Sequence, residues 1–237
     1  MNLITVENLS AFYENNEIFK DLSFNVLNDD YLYVVGENGS GKTTLMRCIL
    51  GFKVKHTGTI LFSGLKRNEI GYLPQRTDTE SDFPASVTEV VTSGFSGLKF
   101  LGLPFSKKAK AEALQIMKSL GISELKDRSF KELSGGQQQK VLLCRALCTK
   151  SKILLLDEPV TGLDETAREE MYSLIKRLND NGTAVIMISH DMDAALKYSK
   201  HILHLSENGY FYGDVTQYKK SGLLKTENKE ENQNELF

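Results

Sequence analysis

The chain has 237 residues and contains no run of about 18 apolar residues, so no stretch of it is expected to cross a bilayer as a helix. It shows no positively charged leader followed by an apolar stretch, so no secretory signal is expected. Its cysteines number only three, an odd count that speaks against a disulfide framework and points to a reducing cytoplasm. Charge of either sign is not in excess: 29 Lys and Arg face 31 Asp and Glu, for a net charge of −2. That balance excludes a broad basic field, and nucleic acid is not an expected partner. No internal repeat and no inserted coiled coil is visible. What remains is enough chain for one α/β core plus a small helical insert.

Residues 36–44 read Gly-Glu-Asn-Gly-Ser-Gly-Lys-Thr-Thr. Gly36, Gly41, Lys42 and Thr43 match the phosphate-loop spacing G-x-x-x-x-G-K-T/S. An apolar run, Tyr31 to Val35, precedes them and predicts a buried strand; Thr44 to Leu50 predicts a helix. Strand, loop, helix is the context this motif requires. Glycines let backbone N–H groups close around phosphates, and the helix start adds partial positive charge. The cradle runs over Gly36, Asn38, Gly39, Ser40, Gly41, Lys42, Thr43 and Thr44. Lys42 is expected to reach the β- and γ-phosphates of ATP, and the Thr43 hydroxyl to ligate Mg²⁺.

A second nucleotide element lies at Ile153-Leu154-Leu155-Leu156-Asp157-Glu158. Four consecutive apolar residues suit a parallel strand buried on both faces. Carboxylates at its carboxyl end suit the crevice where such sheets bind ligands. Asp157 is expected to hold Mg²⁺, and Glu158 to orient and polarise the attacking water.

With Leu133-Ser134-Gly135-Gly136-Gln137 added, the chain resembles the nucleotide-binding subunit of an ABC transporter over about residues 1–220. The matched motifs occur in the family's order. Gln75 in Tyr72-Leu73-Pro74-Gln75 matches the Q-loop, Val160-Thr161-Gly162-Leu163-Asp164 the D-loop, and His190 in Ile188-Ser189-His190-Asp191 the switch histidine. Tyr13 sits where the family places an aromatic that stacks on adenine, though Phe12 is adjacent. The resemblance implies a P-loop α/β fold: a parallel sheet core, an antiparallel β subdomain and a helical subdomain. It implies catalytic roles for Glu158, His190 and Gln75, and Mg²⁺ contacts from Thr43, Gln75 and Asp157. Ser134, Gly135, Gly136, Gln137 and Asp164 would then contact ATP held by a second copy, in a head-to-tail dimer. Outside such a family, the Ser-Gly-Gly run reads as an ordinary helix-capping loop. Lys140 for the commoner arginine and Gly162 for the commoner alanine are mild departures.

The domain reading is one ABC ATPase domain over 1–225, with the helical subdomain at about 77–150, and a polar, disordered tail over 226–237. Short strands are expected in 2–35, strands near 59–62 and 70–73, an amphipathic helix over 107–120, and a signature helix over 137–148. Parallel β/α units are expected over 151–215, with a helix from Glu165 to about Asn179. Cys144 and Cys148, four apart, are read as packed thiols rather than metal ligands. His201 and His204 lie in one strand and point to opposite faces.

The segment Phe83-Pro84-Ala85-Ser86-Val87 and onward to Gly94 resembles ATPases of zinc and manganese importers, as do the stretches near Leu133 and Met187. This implies import of a divalent transition metal across a bacterial cytoplasmic membrane, zinc first and manganese second. The subunit would be peripheral on the cytoplasmic face, with membrane permease subunits and, indirectly, an extracytoplasmic metal-binding protein as partners. An iron-chelate importer ATPase and a non-transport ABC ATPase stand as alternatives. The segment from Gln75 to about Pro104 is expected to form a groove for the permease, exposing Phe83, Val87, Phe95, Leu98, Phe100 and Leu101.

Overall fold

The computed structural model describes residues 1–14, 16–75, 85–96, 105–149, 151–206 and 208–224. Two twelve-residue strands, β1 (Asn2–Tyr13) and β2 (Asn16–Leu27), open the chain as an antiparallel hairpin. These are longer than the short strands the sequence suggests. Register shifts after Val6 and Leu9 break the alternation of apolar and polar residues that marks a strand. The fourth strand, β4 (Lys55–Phe62), pairs with the other edge of β1 and completes a three-stranded antiparallel sheet.

A six-stranded sheet forms the centre. It comprises β3 (Tyr31–Val35), β5 (Ile70–Leu73), β6 (Ile153–Asp157), β7 (Ala184–Ile188), β8 (His201–Ser206) and β9 (Gly209–Asp214), in the order β5-β6-β7-β3-β8-β9. Its first five strands are mutually parallel; β9 returns antiparallel on β8, where continued parallel units are expected from sequence. Every residue of β3, β6 and β7 is buried. Side chains alternate between the two faces of a strand. Tyr31, Tyr33, Leu154, Leu156, Val185 and Met187 thus join one core, and Leu32, Val34, Ile153, Leu155 and Ile186 join the other. Burying one such side chain contributes about 1.5–3 kcal/mol, which explains why β3, β7 and the first four residues of β6 carry no charge.

Helix α1 (Lys42–Leu50) packs with the antiparallel sheet on one side. The other core holds α2 (Val87–Ser93), α3 (Lys107–Ser119), α4 (Gly135–Leu147), α5 (Glu165–Asp180), α6 (Met192–Tyr198) and α7 (Val215–Ser221). Val87 is fully buried and Phe95 packs against this core, contrary to their expected exposure. The cause is that α2 presents its apolar stripe inward, beside α4. Phe83, Leu98, Phe100, Leu101 and the tail 226–237 lie outside the described residues. Among the described residues, no helix is long and apolar enough to cross a membrane.

Candidate active site

The parallel strands deliver their carboxyl ends to one edge of the sheet. Along that edge stand, in spatial order, Gln75 beyond β5, Asp157 and Glu158 at the end of β6, Ser189 and His190 beyond β7, and the loop 36–41 beyond β3. Residues separated by up to about 150 positions are neighbours for this reason alone.

The loop is built for close backbone approach. Gly36 has φ 136°, and a Cβ there would fall 2.1 Å from the Leu205 carbonyl oxygen. Gly41 (φ 96°) begins α1 and offers no capping side chain. Ser86, Ser106, Ser134, Asp164, Asp191 and Asp214 supply such caps to α2–α7. An α1 start without a capping side chain suits an anion. Lys42 Nζ donates to the carbonyl oxygens of Gly36 and Glu37, so its charge is held over the loop. The Ser40 hydroxyl is buried with no hydrogen-bond partner among the described residues, while Asn38, Gly39 and Thr43 face solvent.

Asp157 is 4% exposed. Burial and the neighbouring Glu158 carboxylate push its pKa up to about 6, against the pull of Lys42 and Arg47. A bound cation would restore its ionised form, because it offsets both the desolvation and the repulsion. Among the described residues no cluster of three or more His, Cys, Asp or Glu could cage a metal. Mg²⁺ needs no such cage: it takes one or two protein oxygens and completes its shell with water and substrate phosphates. Asp157 and the Thr43 hydroxyl fit that donor set.

Glu158 holds a left-handed backbone (φ 49°), a costly conformation for a residue with a side chain. Its N–H donates to Ile188 O at 2.9 Å, tying it to the end of β7. Its carboxylate is reached from two sides: Oε1 lies 3.2 Å from His190 Nδ1, and Oε2 accepts from Thr161 Oγ1 at 3.1 Å. The structure therefore brings Glu158 and His190 together. In sequence Thr161 is visible as part of the D-loop match; its bond to Glu158 is not.

Ser134 and Gln137 close a reciprocal cap at the start of α4: Gln137 N donates to Ser134 Oγ at 3.3 Å and Ser134 N to Gln137 Oε1 at 3.1 Å. The helix thus begins at Gly135, two residues before its expected start. Buried Gln139 donates from Nε2 to Pro159 O at 3.0 Å, so α4 grips the backbone next to Glu158. Lys140 pairs with Glu170 of α5 at 2.6 Å. Asp164 caps α5 by accepting from Ala167 N. At the end of β1, Lys55 Nζ covers the Phe12 ring at 5.6 Å, whereas Tyr13 is 70% exposed, which leaves Tyr13 the ring available for stacking.

The other tempting residues have local explanations. Cys144 and Cys148 are free and buried, and burial pushes the Cys148 thiol up to about 12. His201 contacts Asp30 Oδ1 at 2.8 Å and stacks on Tyr212, while His204 contacts the Tyr218 hydroxyl at 2.8 Å. These partners belong to the two opposite cores, so the histidines face apart.

A family model described as ABC transporter matches residues 19–161. The chain is 36% identical over 221 residues to the manganese transport system ATP-binding protein MntB of Halalkalibacterium halodurans, covering 90% of this chain and 86% of that protein. It is 32% identical over 224 residues to the zinc uptake system ATP-binding protein ZurA of Listeria monocytogenes, covering 91% and 87%. A solved structure of similar shape is the ADP conformation of MJ1267, an ATP-binding cassette of an ABC transporter. Its TM-score is 0.78 at 26% identity, covering 90% of this chain and 91% of that one.

Proposed function

We infer a function from one premise: this chain belongs to the ABC transporter family. It is an ATP-binding cassette and an ATPase. We propose that it powers uptake of a divalent transition metal through membrane permease subunits. The observation that carries the catalytic part is the convergence of Lys42, Asp157, Glu158 and His190 on one sheet edge.

In this reading ATP lies over the loop 36–41, with its phosphates on the α1 start and the Lys42 ammonium, and with adenine against Tyr13. Phosphate oxygens replace the carbonyls that Lys42 now contacts. Thr43, Asp157 and Gln75 would hold Mg²⁺, whose charge would offset that of the phosphates. Glu158 orients a water and takes its proton as the water oxygen attacks the γ-phosphorus; ADP and phosphate leave. His190 keeps the Glu158 carboxylate aimed and contacts the γ-phosphate. Ser134 to Gln137 and Asp164 serve the ATP of a second copy in a head-to-tail dimer. Closing two such sites draws the helical subdomains together, and permease helices docked on residues 75–104 follow.

Zinc is the first reading for the cargo, on the resemblance of residues 83–94, and manganese is the second, favoured by the higher identity to MntB. Cells deleted for the gene and grown with a metal chelator distinguish them. Rescue by zinc and not manganese supports the first, and rescue by manganese alone the second. Normal uptake of both metals removes metal import while leaving the ATPase standing.

A further inference from the structure

We propose that Tyr172, outside every motif of the nucleotide site, is a positioning residue for His190: its hydroxyl ties the strand that feeds the phosphate loop to the turn that carries the histidine. The inference rests on the reading of His190 as a catalytic contact.

The side chain of His190 is 75% exposed and touches Glu158. Beyond that contact, its aim is set by the backbone on either side. Ser189, before it, is buried. Asp191, after it, is anchored four ways. Its N–H donates to Ser189 Oγ at 3.2 Å, its Oδ1 accepts from Ala194 N at 2.9 Å, and its carbonyl accepts from Ala195 N at 3.0 Å. Those three are local and accompany the start of α6. The fourth comes from another element: Tyr172 Oη of α5 donates to Asp191 Oδ2 at 2.9 Å.

Tyr172 gives its single proton to Asp191. The Tyr33 hydroxyl lies 3.4 Å away, within reach of Tyr172 as a donor, and Ser189 also hydrogen-bonds to both phenols. Tyr33 is fully buried on β3, three residues before Gly36. Burial pushes both phenols well above their ordinary range, so both remain protonated donors at neutral pH. A continuous path therefore runs from β3, through α5, to the residue beside His190.

The ring and the hydroxyl of Tyr172 do separate jobs. The ring stacks on Tyr198 at the far end of α6, with centroids 5.4 Å apart and planes at 25°. The hydroxyl holds the near end. Between α5 and α6 opens a cleft of about 600 Å³ lined by Thr161, Tyr172, His190, Asp191, Lys197 and Tyr198. Across that space the ring meets Tyr198 at one end and the hydroxyl meets Asp191 at the other. Tyr172→Phe keeps the ring and removes the hydroxyl's bond to Asp191.

The test is a double-mutant cycle on the full chain: parent, Tyr172→Phe, His190→Ala and the double variant, each with kcat, KM for ATP, nucleotide affinity and thermal midpoint. Tyr172→Phe should lower kcat about tenfold, the size expected for one lost hydrogen bond to a carboxylate, with KM and nucleotide affinity within twofold of the parent. In the His190→Ala background the same change should cost less than about twofold, since the group it positions is gone. An equal loss in both backgrounds would show that Tyr172 acts elsewhere and overturn the proposal. So would an unchanged kcat, or a loss of nucleotide affinity that tracks a lowered thermal midpoint. Parental turnover by His190→Ala alone would instead sink the reading of His190.

Discussion

Replacing Asp157 with asparagine should make the nucleotide-free protein more stable while abolishing turnover. Asp157 is buried beside Glu158, and its pKa rises from 3.8 to about 6. Each tenfold change in proton affinity is worth about 1.4 kcal/mol. The folded chain therefore carries a cost on the order of 3 kcal/mol at neutral pH for keeping this carboxylate ionised. The sign follows from linkage. The folded form holds the proton more tightly than the unfolded form, so the cost is absent below pH 3.8. It grows as pH rises, reaches about half its full size near pH 5, and is complete above pH 6. Asparagine is neutral throughout, but its amide brings a desolvation cost of about 1 kcal/mol. The net gain at pH 8 is then about 2 kcal/mol, or about 4–8 °C in Tm for a domain of this size. Thermal unfolding of parent and Asp157→Asn, in EDTA without nucleotide, should show that gain at pH 8 and at most half of it at pH 5. A gain of equal size at both pH values, or a loss at pH 8, would refute the idea that an unpaired buried charge is being stored for a cation. Loss of ATP turnover in the same variant would show what the stored cost supports.

Where the sequence was legible, one strong local signal decided the outcome. The runs Tyr31–Val35, Ile153–Leu156 and Ala184–Ile188 are apolar at every position because helices or a second sheet cover both faces, and they form β3, β6 and β7 as expected. Helix ends were off by one or two residues because caps set them: the Ser134–Gln137 box starts α4 at Gly135. The early hairpin was misjudged because bulges in β1 interrupt its period. Val87 read as exposed because a short apolar helix looks alike whether it meets solvent or another helix. Only its packing beside α4 decides the matter. At the site, motif spacing points to Lys42, Asp157, Glu158 and His190, and the fold sets Glu158 and His190 3.2 Å apart. What no spacing could indicate were contacts made by topology. Tyr33 meets Tyr172 across 139 residues of chain, and Gln139 meets Pro159 across 20, because adjacent strands and helices bring them together. The left-handed backbone of Glu158 was equally invisible, since nothing in a glutamate announces positive φ.

Three further substitutions test the engine itself. Lys42→Ala removes the charge-assisted phosphate contacts, each worth about 1.5–3 kcal/mol. It should weaken ATP binding by at least tenfold and abolish turnover; near-normal hydrolysis by a folded Lys42→Ala protein would overturn the loop assignment. Glu158→Gln keeps the shape of the side chain, so Thr161 Oγ1 can still donate to its amide oxygen and the strained turn at φ 49° should survive. It removes the oxygen that takes a proton from water. ATP should therefore bind at parental affinity and stay unhydrolysed. If the signature residues Ser134 to Gln137 of one copy cover ATP held by another, the trapped nucleotide should also trap the pair. Size-exclusion chromatography of Glu158→Gln with Mg-ATP should then show a dimer that ADP does not support. Adding Ser134→Arg, which places a bulky cation where that contact would close, should return it to monomer with nucleotide still bound. A Glu158→Gln protein that holds ATP yet stays monomeric at high concentration would count against the head-to-tail arrangement, because no other step remains to dissolve it.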